Sequence, residues 1–298
     1  MSEFLQLCFN GTALGARYAL VALGFVIIYR ATGVINFAQG GLLALGAYLA
    51  YALNDTAALP FALAVIGAVI ASGLIGAATE RVVLRKMVGQ PVFAVVMVTI
   101  GMLFILEQTI TSIWGFEALN LGDPWGVQIV RAGDVVLAQR DLWTIGIAGA
   151  VLAAFFAFFR FSKLGVAMRA TAFDQEAALA QGISARRVFA VSWGISGALA
   201  CLAGVTLAAG PAALSPGIGA VALIAFPAMI VGGLDSPVGA VLGGLIIGIT
   251  QALTTGYQED LFGWAGANFA AVMPYVVMVL ILLVRPYGLF GTREVRRI

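Results

Sequence analysis

Residues 11–53 read GTALGARYALVALGFVIIYRATGVINFAQGGLLALGAYLAYAL. Two apolar runs, 11–29 and 33–53, lie on either side of Arg30. Each is close to the ~20 residues that carry a helix across a bilayer. Further apolar runs follow at 60–79, 91–113, 142–159, 188–209, 219–233, 237–254 and 268–284. Pro60 and Pro91 stand at the starts of runs, where a missing N–H costs nothing, and Pro286 follows the last. The run 219–233 is short and contains Pro227, so it reads as a broken or re-entrant piece, tolerated in hydrocarbon only when buried in protein.

Composition agrees. Of the 298 residues 62% are apolar, 37 more are glycine and 10% are charged. A soluble domain needs about 25% charged residues to cover its core, so both a soluble globule and a disordered chain are excluded. The expected fold is all-α: a polytopic helical membrane protein of eight or nine hydrophobic segments. Residues 1–298 are read as one transmembrane domain.

Charge sets the orientation. Alternate loops hold Arg30, then Arg81, Arg85 and Lys86, then five basic residues between 160 and 187, then four from Arg285 onward. The opposite loops hold only Arg131 and Arg140. The positive-inside rule places the basic set in the cytoplasm, the N-terminus outside and the C-terminus inside. Nine crossings fit this parity, and seven fit if two runs fail to cross. With Glu3 and no basic leader, the first run reads as a permanent span rather than a cleaved signal. Trp114 and Trp125 read as interface anchors of an external segment, 114–141.

The absence of histidine removes imidazole bases and ligands, and Cys8 and Cys201 are isolated packing residues. No nucleophile or metal constellation points to an intramembrane enzyme. No Gly-rich loop ending in Gly-Lys-Ser/Thr is present, so no ATPase domain is expected.

Three places carry polar chemistry. In the cytoplasmic loop 160–187, Asp174 caps a two-turn helix, Glu176 complements its dipole, Gly182 ends it and Ser184 caps the next span. So short a helix needs something to pack on. It is either a connector on the lipid surface, with Arg169, Arg186 and Arg187 meeting anionic headgroups, or a docking helix for a cytoplasmic partner. Near the cytoplasmic end of the second run, Asn36 and Gln39 lie one turn apart before Gly40 and Gly41. They read as a capped helix start or as a gate lining the pathway. Within the spans, Arg17 and Glu107 lie at equal depth with opposite sign. They form an ion pair, line an external vestibule or snorkel to the interface. Gly239-x-x-x-Gly243 and Gly244-x-x-x-Gly248 allow close helix contact, within the subunit or against a second one.

Several blocks together resemble the LivH-type branched-chain amino acid permeases of ATP-binding-cassette importers. Gly33-Val34-Ile35-Asn36-Phe37-Ala38-Gln39-Gly40 is similar to their Asn-Phe-Ala-His-Gly signature, preceded by Leu14-Gly15 and Tyr18-Ala19-Leu20. Gly165–Ala170, Glu176-Ala177-Ala178 with Gly182 (an EAA-like loop), Val231–Ala240 and Arg285–Gly291 follow in order. The resemblance implies an importer permease subunit in a bacterial inner membrane. It implies two ATPase subunits that hydrolyse ATP and dock on the loop, a second homologous permease (LivM-like, in a heterodimer) and an external substrate-binding protein. It implies no cofactor on this chain, membrane lipid around it and no nucleic acid. Gln39 stands where the signature has histidine, so a titratable role there does not carry over. The alternative from the residues is a stand-alone channel or secondary transporter for a small polar solute. It is weakened because Glu107 is the lone acid well inside a run.

Overall fold

The computed structural model describes residues 2–126, 128–132, 135–210, 213–262 and 268–292. Among these, helices run over Ser2–Thr32 (α1), Gln39–Tyr51 (α2), Phe61–Val82 (α3), Val92–Trp114 (α4), Gln139–Phe161 (α5) and Lys163–Phe173 (α6). They continue with Gln175–Ala180 (α7), Ala185–Ala208 (α8), Val221–Gly232 (α9), Pro237–Phe262 (α10) and Phe269–Val284 (α11). An antiparallel hairpin pairs Ile129–Ala132 (β1) with Val135–Ala138 (β2). The fold is all-α in its architecture, and six helices are long and apolar enough to cross a membrane: α1, α3, α4, α5, α8 and α10.

Two apolar runs are shorter as helices than as hydropathy. The run 33–53 becomes α2 of 13 residues, about 20 Å long, which begins only at Gln39 because residues 33–38 are not helical and passes into a π-helical turn at Ala52–Thr56. The run 219–233 becomes α9 of 12 residues with Pro227 inside it. Other helices outrun their apolar stretch. α1 has 31 residues, about 46 Å, longer than the ~30 Å hydrocarbon core. α5 starts at Gln139, so Asp141 is helical. Gln6 near the start of α1 accepts a bond from the Val136 N–H of the hairpin at 2.7 Å.

The chain divides into two compact units. The first holds residues 1–26, 125–148 and 222–298. Its spans meet through small residues: a Cβ on Gly15 would come within 2.8 Å of the Leu245 Cα, and Gly248 leaves no room beside Gly15. Gly243 packs as closely on the Ala228 carbonyl. Both Gly-x-x-x-Gly spacings thus make contacts inside the chain, where close backbone approach replaces a hydrophobic driving force. The two motif blocks near the C-terminus also meet. Leu289 and Phe290 donate their N–H groups to Val231 and Gly232 at 2.9 and 3.0 Å, and Thr292 N donates to Asp235 at 3.2 Å.

The second unit holds residues 27–124 and 149–221. α8 is its centre, and α2 and α3 pack along it. Gly76 of α3 lies against the Trp193 carbonyl, and Gly204 of α8 against that of Leu43. Trp193, Tyr48, Leu42 and Leu43 are fully buried there.

Candidate functional site

The site grows from the break between α1 and α2. Gly33 has φ +71°, a conformation that costs most side chains about 1 kcal/mol or more, and it ends α1. Asn36, three residues before α2, then accepts from the Ala38 N–H at 3.0 Å, and its amide donates to the Gln39 side-chain carbonyl at 3.4 Å. The Phe37 N–H donates to the Thr99 hydroxyl at 3.2 Å. Gln39 donates its amide to the Ser196 carbonyl at 3.4 Å and accepts the Ser196 hydroxyl at 2.7 Å. Asn36 and Gln39 are fully buried. Asn36 therefore turns the chain into α2, and the helix itself begins one turn later.

The break packs against the middle of α8. Ser196 stands midway along the 24-residue α8, about 16 Å from its start. Irregular backbone beside the middle of a membrane-length helix survives only if protein satisfies it: Thr99 takes the Phe37 N–H and Asn36 that of Ala38, while Ser196 satisfies the Gln39 side chain. Gly40 packs its carbonyl against Gly219, in the short 3-10 turn Pro216–Ala220 that precedes α9.

Below the break is a cavity of about 220 Å3. Asn36 and Thr99 line it toward the break, Glu80, Gln90 and Gln175 add polar groups, and Trp193 and the aliphatic Ile28, Val34, Val92 and Val95 complete the wall. Glu80 was missed in the sequence because the apolar run stops at residue 79. The helix continues to Val82 and takes Glu80 into the interior, where it is 2% exposed. Arg85 holds it in a two-point pair, Nη2 to Oε2 at 2.7 Å and Nε to Oε1 at 3.3 Å. The signal available in the sequence was the pairing of Glu80 with Arg85 at the end of an apolar run.

The loop 160–187 folds as its caps predict. Ser162 caps α6, Asp174 accepts from the Ala177 N–H at 2.9 Å, and Ser184 caps α8. At the end of α7, Ile183 N donates to Ala178 O and Gly182 N to Leu179 O, both at 3.0 Å, with Gly182 at φ +79°. That is a Schellman stop. Glu176, Ala177 and Gly182 are exposed and Ala178 is buried. Phe173 is 94% exposed and Leu179 half exposed. Arg169 and Arg30 both lie over the Phe159 ring, at 5.5 and 5.4 Å, and fasten α6 to the ends of α5 and α1. Gln175 lines the cavity, and it shares a cleft of about 650 Å3 with Glu80, Arg85, Leu179 and Arg186. The loop helix, the ion pair and the helix break are thus contiguous.

Arg17 pairs elsewhere than expected. Its Nη2 donates to Asp141 Oδ1 at 3.1 Å and to the Thr144 hydroxyl at 3.4 Å. Asp141 was hidden because the apolar run begins at residue 142, whereas α5 begins three residues earlier. Glu107 is half-buried on α4 and enters no ion pair among the described residues. The expected Arg17–Glu107 pair is replaced by Arg17–Asp141.

Six membrane-length helices among the described residues, a buried helix break over a cavity and an exposed capped helix in a basic loop make up a polytopic helical membrane protein. Comparison with known proteins gives the family. The family described as branched-chain amino acid transport system / permease component matches residues 7–282, and the chain belongs to it. The high-affinity branched-chain amino acid transport system permease protein LivH of Salmonella typhimurium is 32% identical, over 99% of this chain and 98% of its own length. BraD of Pseudomonas aeruginosa, named as a permease of the same kind, is 29% identical over 99% and 98%. The solved structure of PsaBC from Streptococcus pneumoniae in complex with Fab covers 95% of this chain and 92% of that one, with a TM-score of 0.50 at 16% identity. That likeness is one of fold.

Proposed function

We propose that this chain is the permease subunit of an ATP-driven importer for branched-chain or related amino acids in a bacterial cytoplasmic membrane. It forms half of the translocation pathway beside a second, LivM-like permease. Two separate ATPase subunits dock on the loop 160–187 through Glu176, Ala177, Ala178 and Gly182, and an external binding protein delivers the solute. The N-terminus faces outside and the C-terminus inside, as the bias of basic loops favours. The chain performs no covalent chemistry and binds no cofactor of its own; ATP is hydrolysed by the partners.

The observation that carries this reading is the contiguity of α7 with the cavity. α7 exposes Glu176 and Ala177 and reaches the Glu80–Arg85 cleft through Gln175 and Leu179, one turn apart on the same face. A partner that moves α7 thereby acts on the cavity below Asn36, Gln39 and Gly40, which serve as the gate. Energy enters as a difference in the partner's affinity for two conformations.

Gentle affinity purification of the tagged chain from its native membrane, with mass spectrometry of the co-purifying proteins, tests the reading. An ATPase subunit and a second multi-span permease are expected. A stable chain that purifies alone and transports without ATP overturns the proposal.

A further inference from the structure

Apart from the cavity, the second unit carries an open groove of about 370 Å3 between α5, α6 and α8. Phe155 and Phe158 line it from α5, Leu164 from α6, and Val191, Ile195 and Leu202 from one side of α8; every lining side chain is apolar. From Val191 to Leu202 the helix rises about 16 Å, close to half of the ~30 Å hydrocarbon core. The groove thus has the length of one leaflet, the reach of a single acyl chain.

Its floor is fixed by the elbow between α5 and α6. Phe155 stacks on Phe159 with ring centroids 5.5 Å apart. Arg169 lies over the Phe159 ring and donates to the Phe159 carbonyl. A Cβ on Gly165 would come within 2.6 Å of the Phe158 carbonyl oxygen, so α6 folds tightly onto the end of α5.

One end of the groove is cationic. Arg187 stands one turn before Val191 on α8, and Lys163 directly precedes Leu164. Both are exposed, and neither pairs with a carboxylate among the described residues. Residues 158–169 and 184–191 contain no Asp or Glu. Arg186 is not part of this end, because it lines the Glu80–Arg85 cleft.

From this we infer that the groove is a binding site for one anionic glycerophospholipid. One acyl chain lies along α8 from Val191 to Leu202 against Phe155 and Phe158, and Lys163 and Arg187 hold the phosphate. Charge complementarity selects this occupant. A second copy of the chain, or a homologous permease with basic loops at the same level, brings cations against cations. A zwitterionic headgroup carries its own cation beside its phosphate. The inference goes beyond the permease reading and needs only that these helices span a bilayer.

The test takes the tagged chain in whatever assembly it forms, washed free of lipid in mild detergent. It is titrated with phosphatidylglycerol or phosphatidylcholine, and bound lipid is counted by native mass spectrometry. One phosphatidylglycerol per chain is expected to bind about tenfold more tightly than phosphatidylcholine. Lys163→Gln and Arg187→Gln are each expected to weaken phosphatidylglycerol about fivefold and to leave phosphatidylcholine unchanged, whereas Lys163→Arg keeps the preference. Val191→Trp fills the groove from a half-buried position and is expected to weaken both lipids. Equal affinity for the two lipids overturns the site, as does unchanged phosphatidylglycerol binding by the Lys163→Gln, Arg187→Gln double variant. So does a photo-crosslinker at Val191 that captures a second permease and no lipid in the intact assembly. None of these readouts involves ATP or uptake, so the permease reading stands or falls separately.

Discussion

Each compact unit holds an ion pair on a buried carboxylate, and the two pairs are built differently. Arg17 and Asp141 are 124 positions apart and join α1 to the first turn of α5. Glu80 and Arg85 are five positions apart and close the end of one helix. The first pair does what a scaffold needs: it ties the interior of one span to the start of another and so sets their register. The second breaks a local rule. A glutamate in the last turn of a helix faces the negative end of the macrodipole, and burial penalises it again. Arg85 offsets both, but a plain apolar residue would need no offsetting. Departures from local preference are expected where a site requires them, and Glu80 borders the cavity.

That comparison breaks most sharply when the pairs are removed. Asp141→Ala strands a buried guanidinium and is expected to cost about 3–5 kcal/mol, read as a fall in thermal stability of the detergent-purified protein. Arg17→Met with Asp141→Leu, which replaces the pair by packing, is expected to recover most of that stability and to keep uptake. The matching change in the second unit has the opposite signature. Glu80→Gln with Arg85→Gln keeps hydrogen-bonding groups in place and is expected to preserve folding while uptake falls about tenfold or more. Glu107→Gln is expected to stay within about 0.5 kcal/mol of the parent. A loss at Glu107 as large as at Asp141 breaks the assignment of the scaffold pair.

Helix contacts sharpen the same contrast at smaller cost. A side chain at Gly248 meets the α1 backbone at Gly15, and Gly248→Val is expected to cost about 1–3 kcal/mol through overpacking alone. Gly76→Ala pushes on the Trp193 carbonyl. It is expected to lower stability by a similar amount and to disturb uptake as well, because Trp193 lines the cavity. Parallel melting curves and uptake rates separate the two.

What was legible in the sequence follows the same division. The loop helix could be read residue by residue, because Asp174, Gly182 and Ser184 act on backbone groups a few positions away. Asn36 could be flagged as polar among apolar neighbours, but the buried break around it could not, since hydropathy does not distinguish a helix from a satisfied break inside protein. Nor could Glu80 and Asp141 be placed. Each lies one residue beyond an apolar run, and only the helix ends, at Val82 and Gln139, decide that they are interior. Arg17 was correctly singled out as a charge needing a partner. Equal depth pointed to Glu107, and a more distant segment supplied the carboxylate.

The smallest expected effect is on α7, which is held by its caps more than by packing. It has six residues, and of these Ala178 is the buried one. Such a helix is marginal in water, so a cap decides how fully it is formed. Asp174→Ala removes the bond to the Ala177 N–H and is expected to cost about 1 kcal/mol, roughly a fivefold shift against the folded turn. None of that energy resides in the spans, so their thermal unfolding is expected to stay within about 0.5 kcal/mol of the parent. Transport per ATP hydrolysed by the assembled complex is expected to fall several-fold, and Asp174→Asn, which caps equally well, is expected to restore it. Gly182→Pro is the stronger form of the same break, since proline can adopt neither φ +79° nor donate to Leu179. It is expected to uncouple hydrolysis from uptake while membrane insertion stays normal. If Gly182→Pro transports normally, α7 is a surface connector, and the cavity then takes its motion from somewhere other than this loop.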